Sequence, residues 1–403
     1  MPGRENGCTM NCYGGMKMKR FLRSMLAACL TGLMLVLPGG SLSEEPGVED
    51  RGVDLTEQVS VRYPAVTGME DEALQGEING RIQEDCRIRE YLERATALIS
   101  GGKLRTGWEG GITGEIFSCA LWAEGAVQTS RTSFVWTAST VDLRDGHAVT
   151  PGELFTDEAE AGSLMTDYLE ETIAPEMSAH LANSQVTPLP ELFTLDSAGL
   201  TLLYPAEQLS TLSDRAGAVR IGWNVLRPVL NLEEDSVLAR MGAGEMISLT
   251  AESAEKLLAG AAEGRLPGIP ASLGDSLQEL TDRYRLLSDP DGYENGRMFS
   301  LEGSAFGGVS LLTDDLSRDW ASSRVEGIRM DRGCAWGLCV GETPRAEWLD
   351  VLGEPEGTAE IGEEKAEANR IVPGNCDYYR CGEYQLRLYS DADGILVCVV
   401  LAE

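Results

Sequence analysis

Short apolar runs separated by polar turns fill most of this chain, and the clearest of them lie between Leu192 and Leu230. There Leu200 to Tyr204 reads as an apolar strand, a Pro-containing break and a polar loop follow, and Gly217 introduces a second strand from Ala218 to Trp223 with a short helix-like tail. Two strands closing a sheet against a helix are what this order specifies. Upstream, Leu74, Ile78, Ile82 and Cys86 recur at helical spacing within a helix predicted from Met69 to Ile99, and Leu92 and Ala95 continue the stripe after a small phase shift. That pattern predicts one buried face, with Cys86 on it. Strands are expected at 59–63, 114–123, 127–137 and 139–143, with Asp145-Gly146 as a turn. A helix then runs from about Ala159 to Ile173, its inner face made by Leu164, Tyr168 and Leu169.

The second half repeats itself. Thr250 is placed to cap a helix that buries Leu257 and Leu258. Beyond it, Leu273-Gly274-Asp275-Ser276 recurs 67 residues later as Val340-Gly341-Glu342-Thr343, and Ser288-Asp289-Pro290 recurs 65 residues on as Gly353-Glu354-Pro355. Each copy continues into strands, 298–301 and 309–313 in the first, 384–389 and 394–401 in the second. In the second copy Thr343 is read as a helix cap, Pro344 as its first turn and Gly353 as its end. The pattern therefore predicts an α+β chain of two domains, 55–232 and 248–403, each an antiparallel sheet packed by helices. Acidic, Gly-rich linkers are expected at 44–54 and 233–247.

Charge and cysteine content narrow the setting. The 403 residues hold 33 Lys and Arg against 65 Asp and Glu, a net charge of −32. Five of the basic residues and one acid lie in 1–43, so the remainder carries 28 against 64, or −36. Nucleic acid and anionic membrane surfaces would repel such a body, whereas a basic protein or a cationic wall component would be attracted. Residues 16–43, MKMKRFLRSMLAACLTGLMLVLPGGSLS, have the basic start, apolar run and small-residue exit of a secretory signal. Export to the outside or the cell surface is the expectation, with lipidation at Cys29 or an uncleaved anchor as variants.

Seven cysteines follow that signal, and in an oxidising compartment Cys86, Cys119, Cys334, Cys339, Cys376 and Cys381 are disulfide candidates. Cys86 with Cys119 would staple the first helix to the sheet. Cys398 is the expected buried thiol left over. The spacing Cys334-x4-Cys339 and Cys376-x4-Cys381 also allows a four-thiolate metal site, though wider than usual zinc spacing.

The order of Val59-Ser-Val-Arg-Tyr-Pro64, Glu77-Ile-Asn-Gly-Arg-Ile82, Thr140-Val-Asp-Leu-Arg-Asp-Gly146, Glu153-Leu-Phe155 and Gly199-Leu-Thr-Leu-Leu-Tyr204 resembles one family. It is the extracellular domain shared by the lysozyme-sensing anti-sigma factor RsiV and the peptidoglycan deacetylase PdaC, and the similarity spans about 55–232. The resemblance implies an α+β domain outside the membrane that binds a wall-associated ligand such as lysozyme. Two departures stand out: only about 20 residues precede the apolar run, too few for a sigma-binding segment, and no deacetylase domain follows. Residues 245–403 resemble an uncharacterised secreted domain of Gram-positive bacteria, whose halves are similar to BamE-type assembly lipoproteins.

Candidate chemistry is sparse. His147 and His180 are the two histidines, neither with a partner at i+3 or i+4, and both read as surface residues. A zinc hydrolase would need more imidazoles, and no G-x-S-x-G elbow or phosphate loop occurs. Acidic pairs such as Glu70-Asp71-Glu72, Glu170-Glu171, Asp314-Asp315 and Glu363-Glu364 follow from composition, and Asp391-Ala-Asp393-Gly394 reads as a hairpin turn. Among the tryptophans, mostly core residues, Trp336 is the ligand-contact candidate because a Cys334–Cys339 bond would present it rigidly. No catalytic residue, cofactor or metal is assigned. The expected function is non-catalytic binding of a lysozyme-like basic protein or peptidoglycan; the alternatives are a glycan-acting enzyme using paired carboxylates and a structural role in envelope assembly.

Overall fold

A computed structural model describes residues 46–125, 133–172, 191–204, 218–283, 286–288, 292–293, 296–301, 308–316 and 320–403. The signal segment and His180 lie outside them. The first sheet has the order β1 (Gly47–Thr56), β2 (Val59–Thr67), β3 (Leu104–Thr113), β4 (Ile116–Gly125), β5 (Ser133–Asp142). Ladders are antiparallel except between β2 and β3, which pair in parallel through Val59–Leu104 and Ser60–Arg105. Parallel neighbours need a crossover, and α1 (Glu72–Asp85) with α2 (Ile88–Leu98) supplies it.

Several expectations shift here for physical reasons. The acidic stretch read as a linker forms β1, which pairs with β2 from Gly47–Thr67 to Asp54–Ser60. It is a charged edge strand, and its charges hid the alternation. The single helix from Met69 to Ile99 is two, because Arg87 turns left-handed at φ 53°, and the phase shift in the apolar stripe marks that corner. The two strands expected at 127–137 and 139–143 are one continuous β5 over the described part. Asp71 caps α1 by accepting from the amides of Ala73 and Leu74.

The chain continues through α3 (Glu158–Thr172) into a three-stranded sheet of β6 (Phe193–Leu195), β7 (Gly199–Leu203) and β8 (Ala218–Gly222), closed by α4 (Trp223–Leu226). Residues 233–247, expected to be loose, carry α5 (Val237–Met241) and α6 (Ala243–Met246), joined at Gly242 with φ 76°. Val237, Leu238, Met241, Ala243 and Met246 are buried in one cluster with α3 and β6–β8. Three leading acids masked that apolar spacing.

The remainder is built on one eight-stranded sheet. After α7 (Ala251–Ala262), capped by Thr250 accepting from the amide of Ser253, come α8 (Leu277–Arg283), β9 (Leu286–Ser288), β10 (Arg297–Leu301), β11 (Val309–Thr313) and β12 (Gly327–Met330). The small hairpin of β13 (Cys334–Ala335) and β14 (Leu338–Cys339) precedes α9 (Arg345–Leu352), β15 (Gly357–Ile361), α10 (Glu363–Asn369), β16 (Gly374–Cys381), β17 (Tyr384–Ser390) and β18 (Leu396–Ala402). The sheet order β15-β16-β17-β18-β12-β11-β10-β9 places two helix-plus-meander halves side by side, joined where β12 pairs with β18. Thr343 does not cap α9. Its hydroxyl accepts from the amide of Cys339 at 2.8 Å and donates to the Gly337 carbonyl at 3.2 Å, closing the hairpin instead.

The inner strands of the first sheet are packed on both sides. Val59, Val61, Leu104, Phe117 and Leu121 pack beneath α1 and α2, while Ala120 and Trp136 on the opposite face join the core of the eight-stranded sheet. The fold is thus mixed α+β.

Candidate functional site

His147 is the first place to look for chemistry, and it is not isolated. The Asp145-Gly146 turn folds it back so that Nδ1 lies 2.8 Å from Asp145 Oδ1 and Nε2 lies 2.9 Å from Glu153 Oε1. Glu153 closes a capping box with Thr150, accepting from its amide at 2.7 Å and its hydroxyl at 2.8 Å. Asp142, fully buried, accepts from the Arg144 amide and from Arg240 of α5. Burial lowers the His147 pKa, but the hydrogen bonds that the ring donates to Asp145 and then Glu153 overcome it and raise the group above its ordinary range. The Asp145 carboxyl is held low, first by the His147 amide and then by the imidazole. Asp142, Asp145 and His147 place one ligand atom each within 4.8 Å, a spacing that a metal ion accepts. Yet both imidazole nitrogens face carboxylates and Asp142 is held by a guanidinium, so a metal or a substrate proton meets no free lone pair on the ring. The arrangement is an ion-paired clasp at the α5 end of the first sheet. Sequence reading missed it, although Thr150-x-x-Glu153 was a capping-box signal beside the turn.

Two of the other acidic groups are tied into turns. Asp391 accepts from the amides of Asp393 and Ile395, closing the hairpin between β17 and β18. Glu326, whose carboxyl is raised first by burial and then by the neighbouring Asp314 side chain, accepts from the Asp314 amide and so ties the end of β11 to the start of β12.

The cysteines separate into distinct classes. Cys334 and Cys339 are bonded across β13 and β14. Cys376 and Cys381 lie five residues apart on one strand and so face opposite sides of the sheet, which excludes a bond between them. Cys376 instead faces Cys398 across Tyr389, two strand spacings or about 10 Å away. The four-thiolate grouping therefore has no geometric counterpart, and three buried thiols stand unbonded on this sheet rather than one.

Trp336 is not presented at a free tip. It and Gly337 form a two-residue turn with φ 48° and 84°, and the turn docks inward, the Gly337 amide donating to the Met246 carbonyl at 2.8 Å. A Cβ on Gly337 would stand 2.3 Å from the Leu249 nitrogen, so the tip lies on backbone. The indole is half-buried between two apolar clusters, with Lys256 Nζ 5.2 Å from its ring centre.

A surface that can receive a ligand lies instead across β1–β4. A groove of about 770 Å³ runs over Asp50, Arg62, Gly107, Trp108, Glu109 and Trp122, with Pro270 at its far wall. The Trp108 indole donates to Asp50 Oδ1 at 2.7 Å, and Arg62 Nη1 stands 3.7 Å from the same carboxylate. The Thr106 hydroxyl accepts from the Arg62 amide and donates to its carbonyl, both at 2.8 Å, where the parallel ladder has splayed. Trp122 lies flat over Gly107, where a Cβ would come within 2.3 Å of the ring, and stacks on Phe134 with centroids 6.3 Å apart. The groove is thus lined by two half-buried indoles that leave the sheet on opposite faces, Trp108 toward the core beneath α1 and α2 and Trp122 toward the core of the eight-stranded sheet, beside carboxylates that stay in contact with water.

No family model matches the chain, and no curated protein matches it. Among solved structures it is similar to a DUF3298 family member from Bacteroides fragilis, at 13% identity and TM-score 0.37, over 50% of this chain and 99% of that one. A DUF3298 family protein from Pseudomonas aeruginosa matches at 10% identity and TM-score 0.34, covering 47% and 97%. A DUF4309 family protein from Bacillus subtilis matches at 14% identity and TM-score 0.26, covering 38% and 97%.

Proposed function

We propose that this chain is a non-catalytic module of a bacterial cell envelope that binds a wall-associated ligand, a cationic protein such as lysozyme. The observation that carries the reading is the groove on the first sheet, which Asp50, Asp54 and Glu109 line together with Trp108 and Trp122, with Arg62 already ion-paired to both aspartates. Carboxylates beside an indole face form a receptor for Lys and Arg side chains, combining charge attraction with cation–π contact. The excess of 64 acids over 28 basic residues beyond the leader extends that attraction over the whole body. The leader pattern and the resemblance of 55–232 to the RsiV and PdaC extracellular domain support an extracellular setting. Among the described residues no helix is long and apolar enough to cross a membrane.

A second reading is favoured by the same indoles: saccharide rings stack on tryptophan, so the groove would take a wall glycan. Titration of the protein with lysozyme and with soluble muropeptides, each at two salt concentrations, separates them. Lysozyme binding that weakens steeply with salt supports the first reading. Salt-insensitive muropeptide binding moves the assignment to the second, and failure of both ligands to bind removes the proposal.

A further inference from the structure

Five cysteines are unbonded among the described residues, and two of them nearly touch. Cys86, at the C-terminal end of α1, and Cys119, in the middle of β4, place their sulfurs 3.9 Å apart, both fully buried. We infer that these two residues close a second disulfide when the chain folds under oxidising conditions, tying the corner between α1 and α2 to the first sheet. The sulfurs need to approach by roughly 2 Å, within the reach of side-chain rotation. The corner is already seated, since the Ser139 hydroxyl of β5 donates to Asp85 at 2.7 Å, so little of the backbone has to move. No such geometry exists for the others: Cys376 and Cys381 face opposite sides of β16, and Cys398 is separated from Cys376 by a strand.

The oxidant is a disulfide, either a small molecule or a thiol oxidoreductase. One thiolate attacks its S–S bond, giving a mixed disulfide and expelling one thiol; the second cysteine attacks the mixed disulfide, forms the Cys86–Cys119 bond and expels the other thiol. The pair loses two electrons and two protons, and both appear in the two thiols of the reduced oxidant. The hydrogen bond with Cys86 and burial hold the Cys119 thiol well above its ordinary range, so attack within the folded state is slow. Closure therefore belongs to folding. The bond would span 33 residues and pin β4, whose opposite face carries Trp122 on the groove floor.

The full chain, unfolded and reduced, is refolded across a series of glutathione redox ratios. Free thiols are alkylated under denaturing conditions, the remaining disulfides are reduced and labelled with a second reagent, and peptides are assigned by mass spectrometry. The expected result is the second label on Cys86 and Cys119 as well as on Cys334 and Cys339, with Cys376, Cys381 and Cys398 carrying the first. The oxidised protein should melt about 5 °C above a form in which only Cys334–Cys339 is closed. Cys86→Ala and Cys119→Ala should each abolish that redox-dependent increment, and Cys398→Ala should keep it. Cys86 and Cys119 still taking the first label at ratios where Cys334–Cys339 is closed overturns the inference, as does an increment that survives Cys119→Ala. Neither outcome depends on the ligand of the groove.

Discussion

The same four residue types meet at two places in this molecule with opposite results. On the eight-stranded sheet, Asp377 accepts from Arg345 Nε and Nη2 at 2.7 Å each, from the Trp348 indole at 3.1 Å and from the Thr358 hydroxyl at 2.6 Å. On the first sheet, Asp50 accepts from Trp108 and approaches Arg62, whose backbone is bridged by Thr106. The Asp377 side chain is 1% exposed and that of Asp50 is 52% exposed. Burial turns the first set into a strut, every acceptor filled and the indole sealed beneath α9. In the second set Asp50 stands on a charged edge strand and keeps its carboxylate in water, while the indole it accepts from is half-buried. Residue identity alone did not decide which set could bind; the layer covering each one did.

The largest effect that would test this contrast is on stability. Burial raises the Asp377 pKa, but Arg345, Thr358 and Trp348 outweigh it and hold the carboxyl below the usual range. Its contribution is therefore present above the ordinary carboxylate pKa and lost as pH falls through the depressed folded value. Asp377→Ala leaves the fully buried Trp348 N–H without an acceptor, while Arg345, 31% exposed, can turn to water. Denaturant unfolding near neutral pH should show a loss of about 3 kcal/mol, toward the low end for breaking a buried pair. Asp50→Ala should change stability by less than about 1 kcal/mol. Equal losses in the two variants would erase the distinction between strut and receptor.

Binding supplies the next test. Trp122→Ala should weaken ligand association at least about tenfold, a loss of roughly 1.4 kcal/mol, because it removes one aromatic wall. Trp336→Phe, between two apolar clusters and away from the groove, should leave affinity unchanged when measured by the same calorimetric titration. If Trp336→Phe weakens binding and Trp122→Ala does not, the receptor lies at the hairpin that the sequence pointed to.

How much of this was legible beforehand follows from range. Helical stripes such as Ile78–Ile82–Cys86 and strands such as Leu200–Leu203 were readable because their periodicity is local. Edge strand β1 and the buried α5–α6 pair were not, because acidic residues interrupt the pattern that packing later rescues. The groove was invisible for a different reason. Asp50, Trp108 and Trp122 are brought together only by the strand order and by the parallel β2–β3 pairing, which no spacing in the chain announces. Trp336 stood out instead because its flanking cysteines are only five positions apart in sequence. The docked turn shows that a rigid loop need not be a projecting one.

The smallest effect concerns the clasp around His147, which lies between the two extremes at 38% exposure. Its folded pKa is raised above the ordinary 6.5, so its stabilisation is complete below that value and fades as pH rises through the folded one. Asp145 and Glu153 are held below their ordinary 3.8 and 4.5, so their contribution is present above those values and disappears as pH falls through the lowered ones. The clasp is therefore strongest between roughly pH 4.5 and 6.5. His147→Gln keeps a side chain that can donate but removes the charge. Its destabilisation should be greatest near pH 5.5, about 0.5 kcal/mol after allowance for solvent screening, and should shrink toward pH 8.5. A deficit that grows with pH, followed by urea unfolding across the series, would mean that the imidazole is neutral when folded. One ring nitrogen would then carry a lone pair beside a carboxylate, the donor set a metal ion takes, and this site rather than the groove would become the place to look for chemistry.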